Sequence, residues 1–364
     1  MRRCVNSLAI LFVALVVGLA LDVNAQDASA SGGFVGLYAL PDFFDNGQPG
    51  LFIYRESSKE LELYRIKGEA LESVTKVPAT EKVWLAAPYQ RGKDRMVAVA
   101  YGYGRGNLNA PLQVVLYDHK LLNPKVVFEA QSPRSESTFL RQVGEGLLLT
   151  YFESKYFTRT GMLTPTESGM WKFEERFKTR LGMYMDVDED RFLVGRPYPD
   201  PEEKTGELRL LSEGSWRDVP TLRGVSSAVF LRSSTTSPRA LLVGDGWHQN
   251  YGELAEPRLT LLEYDAKTKA FTSRLISVTK PQIRIEKIDQ VLQEKYELVL
   301  ARGDRFVDVY YPRKDWATKR IYEKQSQDQM TNMDFVILET KEDAAVVAIY
   351  DGELRLVRVP LTME

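Results

Sequence analysis

The sequence predicts an all-β fold, a β-propeller of about seven four-stranded blades whose ring is closed by an N-terminal strand. Three observations predict it. Short runs rich in Val, Leu, Tyr and Phe recur along the chain, turn clusters of Gly, Asp, Asn and Pro separate them every eight to twelve residues, and stretches of sequence repeat at intervals of 45–50 residues. Strands at that spacing belong to a sandwich, barrel or propeller, and a period of 40–50 residues holding four strands marks propeller blades.

In chain order, the first element is a leader. Arg2 and Arg3, the apolar run Leu8–Leu21 and the small-residue site Val23-Asn24-Ala25 read as a signal peptide over residues 1–25. The run holds 14 residues, short of the roughly 20 needed to cross a bilayer. Export to the periplasm or beyond the cell is therefore expected over an uncleaved anchor, with no stable membrane insertion after cleavage. The mature chain would have 339 residues and a formal charge of −3, against −2 for the whole sequence. That near-neutral mixture carries no electrostatic footprint for nucleic acid. Cys4, the single cysteine, leaves with the leader, so no disulfide and no thiolate chemistry is expected.

Residues 26–33 read as a flexible lead-in, with Ser and Gly over 28–33, and residues 34–364 as one propeller domain. The repeat is explicit. Thr160-Gly161-Met162-Leu163 and Ser168-Gly169-Met170-Trp171 return 45 residues later as Thr205-Gly206-Glu207-Leu208 and Glu213-Gly214-Ser215-Trp216. Phe192–Gly195 returns 49 residues later as Leu241–Gly244. The blades divide at about 34–77, 78–132, 133–180, 181–223, 224–278, 279–327 and 328–361. The last unit has only three strands, and Gly33–Ala39 is expected to supply the fourth and close the ring, removing two open sheet edges. A pair of β-sandwiches would explain the strands but not the period.

Within each blade, the connections between second and third strands share one face. Those at 101–111, 195–205 and 244–257 are long and rich in Gly, aromatics and charge, whereas those at 301–304 and 350–352 are tight. Loops held on a rigid scaffold carry function disproportionately, and aromatic rings give large contact area with a polar handle. The expected binding face therefore comprises Tyr103, Arg105, Tyr198, Trp247, His248, Asn250 and Tyr251. The alternative is that these side chains only plug the rim and channel. No catalytic set can be named. The only histidines are His119 and His248, too few for a multi-histidine catalytic metal site, and no G-x-S-x-G elbow is present.

Two acidic turns remain. Asp186, Asp188 and Asp190 alternate ahead of an apolar strand, and Asp42 opens the stretch DFFDNGQPGL. Alternating carboxylates offer oxygens to a hard cation such as Ca²⁺; the alternative is that they solvate a hairpin tip. Here the chain resembles the FG-GAP/VCBS repeat of integrin-type propellers, written D-x-N-x-D-G-x-P-D-L. Asp42, Gly47, Pro49 and Leu51 match that pattern, while Phe44, Asn46 and Gly50 depart from it at cation-ligating places. At 186–194 the aspartates match, but the glycine is missing. The resemblance implies a divergent member with most cation sites lost, serving as a binding module for protein or glycan. An axial polysaccharide lyase or hydrolase, using acids, Tyr and Arg, and a periplasmic assembly factor are the alternatives.

Overall fold

A computed structural model describes residues 21–22, 35–44, 47–67, 70–102, 111–132, 137–154, 156–180, 182–195, 207–222, 224–232, 240–246, 257–265, 267–268, 270–278, 285–293, 296–303, 305–324 and 333–363. The strands form seven four-stranded antiparallel sheets, the blades of a propeller. Blade 1 runs through Val35–Leu40, Gly50–Arg55, Glu60–Lys67 and Ala70–Pro78, and blade 2 through Lys82–Arg91, Asp94–Gly102, Leu112–Tyr117 and Lys125–Ala130. Blade 3 uses Ser137–Val143, Gly146–Phe152, Phe157–Pro165 and Trp171–Arg180; blade 4 uses Met183–Asp188, Arg191–Gly195, Leu208–Ser212 and Ser215–Asp218. Ser227–Phe230, Ala240–Asp245, Arg258–Asp265 and Ala270–Val278 make blade 5. Lys287–Gln293, Tyr296–Arg302, Phe306–Tyr311 and Ala317–Glu323 make blade 6, and Asp334–Thr340, Ala344–Tyr350 and Leu354–Pro360 belong to blade 7. These strands fall inside the units expected for them, except that Ala70–Pro78 runs one residue past the boundary at 77.

The first strand of each blade packs against those of both neighbours, and the ring closes where blade 7 meets blade 1. Burial explains the order within a blade. Second strands such as Gly146–Phe152 and Ala240–Asp245 are buried along their whole length, and their sequences are nearly unbroken apolar runs because both faces are covered by neighbouring blades. Fourth strands such as Ala70–Pro78 and Ala270–Val278 are mostly exposed and carry the charges. The apolar cores lie between blades, for instance Tyr54, Leu63, Val83, Val97 and Tyr101 between the first two. Between blades 3 and 4, Phe177 meets Phe192 and Trp216 edge-on at ring-centroid distances of 5.4 and 5.3 Å. The repeated glycines Gly169 and Gly214 take φ of 79° and 70° in equivalent turns, a conformation that glycine adopts without cost.

An N-terminal strand does complete blade 7, but from a different segment than the sequence suggested. Leu21–Asp22 pairs with Leu356 and Arg355, inside the segment read as a leader. Val35–Leu40, expected to be that closing strand, is instead the innermost strand of blade 1. The physical reason is composition: VGLYAL carries no charge, which suits the covered wall of the ring and not an outer edge. Among the described residues, no helix is long and apolar enough to cross a membrane.

Candidate functional site

The strand ends place the three long connections as the sequence suggested, between second and third strands: Gly102 to Leu112, Gly195 to Leu208 and Asp245 to Arg258. Tyr103, Arg105, Tyr198, Trp247, His248, Asn250 and Tyr251 lie outside the described residues. Their anchorage is visible. Asp245 is buried, accepts the Leu222 N–H at 2.8 Å and pairs with Arg258 at 2.9 Å. Glu207 is likewise buried and accepts the N–H groups of Gly224 and Val225 at 2.7 and 3.0 Å. These two carboxylates tie the strand that follows a long loop, and the strand that precedes one, to the link between blades 4 and 5. His119 is exposed in a turn built on Asp118.

The acidic turns lie on the opposite face, between first and second strands, and arginines occupy them. The buried Asp186 accepts Arg141 Nη1 at 2.9 Å, its neighbour's Val187 N–H at 2.8 Å and the Phe230 N–H at 2.9 Å. Asp188 pairs with Arg191 and, at 3.4 Å, with Arg232. Asp190 is exposed at the hairpin tip. In the first hairpin Asp42 is exposed with φ of 48°, while Phe44, standing where the resemblance puts a ligating side chain, is buried with Arg65 4.5 Å from its ring centre. Arg95 Nη1 donates to the Phe44 carbonyl at 2.8 Å. Guanidinium groups thus supply positive charge at both turns, and no group of three or more metal-ligating side chains is found among the described residues.

The axis holds a constellation that the sequence reading did not name. Each of the seven junctions between first strands is bridged by a polar side chain. The Tyr38 hydroxyl donates to Trp84 O at 3.4 Å, and Gln142 grips the Gln90 backbone through its carbonyl and N–H at 2.7 and 2.8 Å. Gln290 grips Phe230 O and Arg232 N in the same way at 2.7 and 3.0 Å. The other four junctions are held by two copies of one three-blade clasp. Arg141 of blade 3 donates to Asp186 of blade 4 and to Val187 O at 3.3 Å, and Asp186 in turn accepts the Phe230 N–H of blade 5. Lys287 of blade 6 donates to Asp334 of blade 7 at 2.9 Å and to Phe335 O at 2.6 Å, and Asp334 accepts the Leu37 N–H of blade 1 at 3.3 Å.

Inside this belt lies a cavity of ≈ 360 Å³. Its lining is apolar at Leu37, Ala39, Ala86, Pro88 and Val336 and polar at Tyr38, Arg141, Gln142, Lys287 and Asp289. Burial pushes the Asp289 carboxyl above the usual carboxylate range, the Lys287 charge and the Gln290 N–H pull it back, and the Asp186 charge pushes it up again. Burial likewise raises Asp186 against the pull of Arg141, and the Tyr38 hydroxyl is raised by burial and by the Asp334 charge. Asp186 and Asp334 each accept three hydrogen bonds, two of which come from other blades. Asp289 accepts one, from the Gln290 N–H at 2.8 Å.

No family model matches the sequence, and no curated protein matches it. The similarities are to solved structures. A chain of an S. cerevisiae complex in which dbp5 is bound to nup159 aligns at a TM-score of 0.55 and 10% identity, covering 91% of this chain and 90% of that one. The N-terminal domain of Nup159 aligns at 0.54 and 10%, covering 91% and 93%, and BBS1N in complex with ARL6DN at 0.53 and 14%, covering 95% and 98%. At such identities these likenesses show the fold alone.

Proposed function

We propose that this chain is an exported recognition module that binds a partner, protein or glycan, through the face bearing the long connections of blades 2, 4 and 5. The observation that supports this most is the asymmetry of the disc. Three connections of nine or more residues rise from second strands on one face, over a ring whose every junction is held by a polar clasp. A rigid scaffold under variable loops is the arrangement from which recognition surfaces are built. Propellers of similar shape occur in complexes with protein partners, as BBS1N with ARL6DN, which favours a protein over a glycan. The partial match at Asp42, Gly47, Pro49 and Leu51 supports kinship with FG-GAP/VCBS propellers, and the leader-like residues 1–25 support export, with Leu21–Asp22 then lost from the edge of blade 7 and its sheet left with three strands.

The test is a pull-down from native medium with wild type and a Tyr103→Ala/Trp247→Ala double variant. Loss of the captured partner with unchanged circular dichroism is the expected result, and equal capture overturns the assignment of the face. Export is checked by N-terminal sequencing of the mature protein, which should begin at Gln26; an intact Met1 removes the leader.

A further inference from the structure

Five charged side chains cluster at the axis, and three of them, Arg141, Lys287 and Asp289, line the cavity. Arg141 and Lys287 are each committed to a carboxylate and to a backbone carbonyl. Asp186 and Asp334 are the matching anions, with backbone N–H groups on their remaining lone pairs. The fifth, Asp289, lines the cavity with one backbone N–H as its hydrogen-bond donor among the described residues. Arg141 and Lys287 are thus spent on Asp186 and Asp334, and among the described residues no cationic side chain donates a hydrogen bond to Asp289. A carboxylate desolvated between protein walls is stabilised by a positive partner, and charge-assisted hydrogen bonds are the strong ones. Much of the remaining lining is apolar, with Ala39, Ala86 and Pro88 leaving room where larger side chains would fill the channel.

We propose that the axial cavity is a binding site for an organic cation on an aliphatic stem, the ammonium group taken by Asp289 and the stem lying against Ala39, Ala86 and Leu140. The size is at the small end of ligand pockets, suited to a lysine-like group and not to a sugar chain. Apolar stem and charged head match the mixed lining as a snorkelling lysine matches a protein surface. The site is separate from the long-loop face, and its occupant could come free in solution or as the lysine side chain of a partner.

The experiment is titration calorimetry at pH 7 with three probes: n-pentylammonium, its neutral analogue n-pentanol, and a tripeptide with a central lysine and both ends capped. Pentylammonium is expected to bind the wild type and pentanol at least tenfold more weakly, a gap of ~1.4 kcal/mol at 25 °C. The near-isosteric Asp289→Asn should bring pentylammonium down to the level of pentanol. Ala39→Leu, which fills the apolar end, should abolish both. A tripeptide tighter than pentylammonium identifies a partner's side chain as the occupant, and a weaker one identifies a free amine. Equal binding of pentylammonium and pentanol, no binding of either, or full affinity in a folded Asp289→Asn overturns the proposal. The Tyr103→Ala/Trp247→Ala variant keeps pentylammonium binding, so failure of the recognition face and failure of this site are told apart.

Discussion

Replacing Asp334 by alanine tests whether the polar belt holds the ring. The carboxylate accepts Lys287 Nζ at 2.9 Å, the Phe335 N–H at 2.8 Å and the Leu37 N–H at 3.3 Å, spanning blades 6, 7 and 1. Alanine leaves two backbone donors and an ammonium short of a partner. Hydrogen bonds to charged groups are worth ~1.5–3 kcal/mol each when buried, and breaking a fully buried ion pair costs ~3–5 kcal/mol. The Lys287 and Asp334 side chains are 31% and 18% exposed, and Lys287 keeps Phe335 O at 2.6 Å, so about 3 kcal/mol is the reasoned total after solvent screening. An unfolding entropy of roughly 2.1 cal/mol/K per residue over a chain of this length turns that into a Tm about 4 °C lower. The control is Asp343→Ala. Asp343 pairs with Arg358 at 3.0 Å, but the side chains are 75% and 49% exposed, and such a pair is worth ~0–1 kcal/mol. Differential scanning calorimetry of both variants decides. If Asp334→Ala melts no lower than Asp343→Ala, the clasp is not holding blade 7 to blade 1.

Three further outcomes are expected. Because burial holds the Asp289 carboxyl above its ordinary range, the group favours folding most below its unfolded pKa of ~3.9 and loses that contribution as pH rises through the folded value. Asp289→Asn should therefore melt above wild type at pH 7, with the gap closing as the pH is lowered towards 4; a gap independent of pH in calorimetry refutes the burial argument. Gly161→Ala should cost about 1–3 kcal/mol, since its Cβ would stand 2.5 Å from both the Glu174 carbonyl oxygen and the Phe173 ring; an unchanged Tm would mean that blade 3 relaxes freely. Chelator should leave thermal unfolding unchanged, since arginines already pair with Asp186 and Asp188; a loss of several degrees would show a cation at a turn.

Much of the fold was legible because a blade is a local unit. Its strands follow one another in sequence, its turns announce themselves with Gly, Asn and Asp, and the copies at 160–171 and 205–216 fix the period directly. The closing strand was misplaced for a reason equally physical. Any short apolar segment near the N-terminus has the β-propensity to add to an edge, and propensity does not say whether a strand will be covered on both sides. The uncharged VGLYAL needed covering, and the first strand of blade 1 is covered by blades 7 and 2. The long loops were legible as loops, but a loop's length and aromatic content do not give the direction in which Trp247 or Tyr103 points.

The axis was illegible for a different reason. Arg141, Lys287, Asp289 and Asp334 belong to no motif, Asp186 reads in the sequence only as part of an acidic turn, and the side chains that complete each clasp are a blade away. One signal did exist. Arg141 and Asp186 are 45 residues apart and Lys287 and Asp334 are 47 apart, so in each pair a cation and an anion occupy the first strands of consecutive repeats. In a ring, residues one period apart on first strands face each other across a junction, and opposite charges at that offset predict a clasp. Asp289 breaks the pattern, since its strand already spends Lys287 and Gln290 on neighbouring blades. A half-buried, desolvated carboxylate outside the clasps lowers the stability of the empty ring near neutral pH, and a cation entering the cavity would remove that cost. Pentylammonium should therefore raise the Tm of wild type and not that of Asp289→Asn, which ties the occupancy of the axis to the stability of the ring.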